Sequence, residues 1–179
     1  ENHWLPSIEH VDKIEATTLL LRLDSRRFAM EEDRTSNKSI EPLLKLKTDL
    51  TQVTEAYAPF ISSPEEAEKY KQVKIYVFAY EAKIDELIAL GKSSSATEGI
   101  IFIRNIISPL AKNLQVAIDD LLHVNEKGAE HSGQVARDSF ESGLTITIAL
   151  IVTAIILTVL LATVFTRSIS QPKIGRAHV

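Results

Sequence analysis

Along most of the chain, apolar residues return every third or fourth position, the period of a helix with one buried face. Val11, Ile14, Thr18, Leu21, Ser25 and Phe28 form one such seam, within a helical pattern running from Glu1 to about Arg34. Pro6 requires that helix to start or bend near it. Thr35 to Ser39 is a polar break rich in helix-capping residues. A second helix follows, with Leu43, Leu46, Leu50, Val53, Tyr57 and Phe60 in heptad spacing. The run Ser62-Ser63-Pro64-Glu65-Glu66 predicts a third helix start: Ser63 as cap, Pro64 at the first position, and Glu66 serving the positive end of the helix dipole. Its stripe is Tyr70, Val73, Val77, Tyr80, Ile84 and Leu87, with Gly91 as the expected C-cap. After a Ser-rich loop from Lys92 to Ala96, a last helix is expected from about Thr97. Its seam is Ile100, Ile103, Ile107, Leu110, Leu114, Ala117, Leu121 and Val124. Pro109 is expected to kink it, and Gly128 and Gly133 to weaken it.

The pattern changes at Leu144. From there to Phe165 there is no charge, Pro or Gly, and 22 helical residues span roughly 33 Å, a bilayer's hydrocarbon thickness. The scattered Thr residues cost little in lipid, because a helix lets the hydroxyl bond its own backbone. The last helix has no stop signal before this stretch and is expected to run into it. Arg167 and Lys173 follow with no acid from Thr166 onward, which places the C-terminal side in the cytoplasm and residues 1–143 outside the inner membrane. The fold class is therefore all-α: an up-down-up-down antiparallel four-helix bundle whose last helix continues into a transmembrane helix. Helices two and three, at about 25 to 28 residues, reach roughly 40 Å, and the last reaches roughly 70 Å before the membrane. A first helix that matches it needs residues upstream, so a preceding membrane span is expected to end roughly 10 to 20 residues before Glu1.

Composition narrows the chemistry. A net charge of −4 argues against a nucleic-acid surface, and the absence of cysteine removes disulfides, thiolate catalysis and Cys-type zinc sites together. His3, His10, His123, His131 and His178 form no metal-ligand set. Nucleotide-binding, nucleophile-elbow and HExxH patterns are lacking, so neither enzyme activity nor a cofactor is expected.

One cluster stands out. Arg22 and Arg26 share a helix face, and Arg27 points about 100° away. Guanidinium groups bind carboxylates in bidentate fashion, as a receptor for small organic anions requires. Counting down from the bundle tip brings Arg104 and Asn105 level with Arg26, with Tyr76, Tyr80 and Thr48 near that height. The candidate ligand-binding set is thus Arg22, Arg26, Arg27, Arg104, Asn105 and Tyr80. The alternative is surface salt bridging to Asp24, Glu31, Glu32 and Asp33. The aromatic residues Tyr57, Phe60, Tyr70, Phe78 and Tyr80, together with Trp4, are expected to pack rather than to cage a ligand.

Several short stretches resemble the sensor region of methyl-accepting chemotaxis proteins. They are Asn2 to Ile8, Tyr57 to Glu66, and Leu121 to Glu130, and after the apolar run Arg167 to Pro172 is similar to the opening of a HAMP relay module. The resemblance implies a homodimer in the membrane, a carboxylate clamped by first-helix arginines between two subunits, and a chemotaxis kinase and adaptor reached through a cytoplasmic part beyond this sequence. It also implies a division into a sensor (1–143), a membrane helix (144–165) and a HAMP start (166–173). Ile174 to Val179 looks like translated adapter sequence and is set apart as a non-native tail, residues 174–179. Two other readings stay open: the input domain of a sensor histidine kinase or cyclic-dinucleotide enzyme, and a ligand-free structural bundle.

Overall fold

A computed structural model describes residues 4–170, with side chains through Ser168. His3, His178, Lys173 and the tail lie outside the described residues. The elements are α1 (Trp4–Met30), α2 (Asn37–Glu55), a short 3-10 turn (Ala58–Phe60), α3 (Pro64–Ser93), α4 (Ala96–Phe102), a π turn (Ile103–Ile107) and α5 (Ser108–Ser170). The chain divides into two compact units, Glu1–Glu130 and His131–Val179.

The first unit is an all-α bundle. Every residue of the α1 seam, Val11 through Phe28, is at most 1% exposed, and the α3 stripe from Tyr70 to Leu87 is buried throughout. Leu43 and Leu50 of α2 join Ala111, Leu114, Ile118 and Leu121 of α5 in the same core. Partners run in opposite directions. Between α2 and α3, Lys47 bonds Asp85 at 2.6 Å while Thr51, one turn on, bonds Glu81 one turn back at 2.5 Å. Between α1 and α5, Trp4 lies on Gly128 and Glu15 accepts from Gln115 at 2.9 Å.

The helix ends follow local chemistry. Ser63 accepts from the Glu66 amide at 3.1 Å with Pro64 at the first position, and Ser95 and Glu98 form a reciprocal capping box at the start of α4. Pro6 sits in the first turn of α1, where a helix has no use for its missing N–H.

Several expectations need correction. The second helix, read through Tyr57 and Phe60, stops at Glu55 after 19 residues, and Ala58–Phe60 form a separate 3-10 turn with Pro59 in it. The first helix ends at Met30 rather than near Arg34. The third passes Gly91 and ends with Ser94 as its cap; Gly91 is there because a Cβ would stand 2.5 Å from Phe28 Cζ. Gly128 is likewise a contact position, since a Cβ would come within 2.3 Å of the Trp4 ring. Phe78 is not core: it is 75% exposed.

The last helix of the bundle is not uniform either. Ahead of Pro109 the backbone opens into a π turn, and the Ser108 amide reaches the Ile103 carbonyl five residues back. Pro109 can donate to no earlier carbonyl, and its ring crowds the turn before it; one extra residue in that turn relieves both. The buried positions there are Gly99, Ile103, Ile107 and Ala111, four apart each time, so Ile100 is left 48% exposed instead of lying on the seam.

In the second unit, α5 contains one stretch long and apolar enough to cross a membrane, with none of that stretch buried. Its threonines each return the hydroxyl to the helix backbone, among them Thr147 to Gly143 O, Thr153 to Ala149 O and Thr158 to Ala154 O, all at 2.8 Å.

Candidate functional site

α1 and the α4–α5 segment enclose a cleft of about 300 Å³ lined by Arg26, Ala29, Met30, Ile100, Ile103, Arg104 and Ser108. Two of the candidate arginines therefore face one space from two elements. The π turn contributes to this placement, because Arg104 is its second residue. Among the described residues, neither Arg26 nor Arg22 has an ion-pair partner. The Arg104 Nε makes only a long hydrogen bond to Asn105 Oδ1, at 3.4 Å, so Asn105 adjoins the site without lining the cleft.

Arg27 is placed differently. Asp24 holds it at 3.3 Å and Glu31 at 3.6 Å, and it lines a separate polar hollow with Glu32, Asp33 and Lys38. Tyr76 and Thr48 are not brought to the cleft: Tyr76 lines another hollow with Lys69 and Asp120, and the Thr48 hydroxyl bonds the Leu44 carbonyl at 3.0 Å.

Tyr80 is fully buried and its hydroxyl has no hydrogen bond of good geometry. The Ser25 hydroxyl beside it is committed to Leu21 O at 2.6 Å. Burial pushes Tyr80 up to about 12, while Ser25 and the charges of Arg22 and Arg26 pull the other way. Tyr80 is thus a buried phenol without a partner of its own, and it does not line the cleft.

Two further constellations escape a reading of the sequence. Arg34, buried in the α1–α2 connection, donates to Ser94 O at 2.6 Å and Ser95 O at 3.1 Å, tying that connection to the α3–α4 turn. At the other end of the bundle, Glu66 is fully buried. It takes the Tyr57 hydroxyl, the Ser62 amide (2.7 Å) and the Ser62 hydroxyl (2.9 Å), and Asn125 donates to the Tyr57 oxygen at 2.7 Å. Burial, with the Glu66 carboxylate second, raises the Tyr57 phenol far above its ordinary value. The sequence signal for this network was partial: Glu66 reads as a helix-start acid, and nothing nearby announces Asn125.

Residues 2–140 match the family described as "Four helix bundle sensory module for signal transduction". One similar solved structure is titled "Periplasmic sensor domain of sensor histidine kinase". It shares 16% identity and a TM-score of 0.62, over 71% of this chain and 88% of that one. At that identity the likeness is one of fold. No curated protein sequence matches the chain significantly.

Proposed function

The chain belongs to the four-helix-bundle sensory modules for signal transduction, and on that premise we propose that it is the ligand-sensing part of a membrane receptor that binds a small carboxylate. Residues 1–143 stand on the periplasmic side of the inner membrane, the apolar stretch of α5 crosses it, and the C-terminus is cytoplasmic, where a HAMP module takes up the signal.

The observation that supports this reading is the convergence of Arg26 and Arg104 on one cleft. A carboxylate between them receives charge-assisted hydrogen bonds from both walls. Arg22 adds charge one turn away, and Arg27 and Asn105 flank the contact. Leu20, Leu23 and Met30 are exposed on one side of α1, with the ion-paired Arg27 among them. A second copy laid along that side would close the cleft, since Met30 belongs to both, and the receptor would work as a homodimer with the ligand at the subunit interface. Drawing α1 towards the π turn biases the start of α5, and a shift of an ångström or two in that helix is the kind of motion sensors relay.

A second reading concerns output only. The histidine-kinase sensor of similar fold supports a kinase, in place of a chemotaxis kinase and adaptor, as the downstream partner; the sequence that follows the membrane helix decides between them.

The test is calorimetric titration of the full chain in lipid nanodiscs with a library of organic acids and amino acids. An acid should bind, and Arg26→Ala should weaken it at least tenfold while remote Lys45→Ala leaves it unchanged. A ligand at 100 times its dissociation constant should also stabilise the bundle by about 2.7 kcal/mol. No binding by any acid would favour a purely structural bundle.

A further inference from the structure

The cleft has a polarity, and that polarity selects among carboxylates. Its two guanidinium groups are exposed, at the mouth. At the bottom lie Ala29, 1% exposed, and Ile103, 7% exposed, with Met30 and Ile100 as apolar walls and Ser108 as the remaining polar group. No carboxylate lines the space. Apart from the two arginines, Ser108 is the one polar side chain among the lining residues, and the rest of the lining is apolar.

Resting on the carboxylate-receptor reading, we propose that the ligand is a non-amino organic acid with an apolar body, its head at Arg26 and Arg104 and its body on Ala29, Met30, Ile100 and Ile103. An α-amino acid would bring an ammonium into a site with two positive charges and no acid to meet it. A compact dicarboxylate would leave the apolar bottom uncovered, or force its second charge against it. At roughly 30 Å³ per water-sized group, the space admits on the order of ten non-hydrogen atoms, a size that benzoate or hexanoate fills.

The experiment titrates the full chain in lipid nanodiscs, with empty nanodiscs as blank, against benzoate, hexanoate, benzyl alcohol, succinate, phenylalanine and leucine. Benzoate and hexanoate should bind at least tenfold tighter than their neutral, amino-bearing and dicarboxylate counterparts, and Arg26→Ala should abolish the preference. Ile100→Asp, at a site 48% exposed and outside α1, should weaken benzoate at least tenfold by removing apolar wall and adding like charge. Succinate or phenylalanine binding as tightly as benzoate, and still depending on Arg26, would overturn the ligand class while leaving the receptor reading intact. Failure of every carboxylate would overturn both.

Discussion

Gly91→Ala separates two effects that an alanine brings into a helix. In open helix the substitution stabilises by about 1 kcal/mol, because glycine has the larger backbone entropy to lose. At Gly91 the new Cβ would sit 2.5 Å from Phe28 Cζ, 2.8 Å from Cε1 and 3.3 Å from Arg34 Cβ. Phe28 is 1% exposed and Arg34 is fixed on the Ser94 and Ser95 carbonyls, so neither neighbour can step aside cheaply. Overpacking of this kind costs about 1–3 kcal/mol, and with both neighbours held the upper part of that range applies. The net expectation is destabilisation of about 1–2 kcal/mol, or roughly 3–8 °C in midpoint for a unit of this size. Gly133, with nothing within 4 Å of its would-be Cβ, is the internal control and should gain helix stability on Gly133→Ala. Thermal unfolding followed by far-UV circular dichroism measures both. Adding Phe28→Leu to Gly91→Ala should return part of the loss as a coupling between the two sites. A midpoint that rises for Gly91→Ala as it does for Gly133→Ala would show that the ring moves freely and would refute the argument.

Two tyrosines make opposite predictions from the same chemical change. Tyr57→Phe strips a buried carboxylate of a donor and Asn125 of an acceptor, and should cost about 2–3 kcal/mol by denaturant titration. Tyr80→Phe removes a buried hydroxyl that bonds nothing well, and should change stability by less than about 1 kcal/mol, in either direction. It should also alter the alkaline limb. With Tyr80 raised from 10.0 to about 12 in the folded state, its contribution is complete below the unfolded value and is lost as pH climbs through the folded one. The wild type should therefore lose stability between about pH 10 and 12 more steeply than Tyr80→Phe does.

Most of the bundle was legible because its seams repeat without interruption. The six α1 positions from Val11 to Phe28 and the six α3 positions from Tyr70 to Leu87 all proved buried, and the Ser63-Pro64 helix start formed as read. Misreadings cluster where a contact distant in sequence overrides a local rule. Gly91 looks like a helix end until Phe28 is placed against it, and Gly128 looks like a weak point until Trp4 covers it. Ile100 went astray because heptad counting assumes an unbroken helix, whereas the run Gly99, Ile103, Ile107, Ala111 keeps a constant step of four through the π turn. That constant step, just ahead of Pro109, was the available signal. Of the candidate site, level-counting on antiparallel helices set Arg104 opposite Arg26, and the cleft brings both together. Which arginines were already neutralised was not visible, because Arg27 could pair with several acids and only side-chain geometry selects Asp24 and Glu31.

The threonines of the apolar stretch carry a mechanical consequence. Thr145, Thr147, Thr153, Thr158 and Thr163 spend their protons on carbonyls of their own helix, so none is left seeking a neighbour. Placed among lipid tails, the cylinder would present no unpaired threonine donor on any side. Spinning it about its long axis would then expose no new donor to hydrocarbon, and a twist supplied from one end would meet little resistance from the solvent around it.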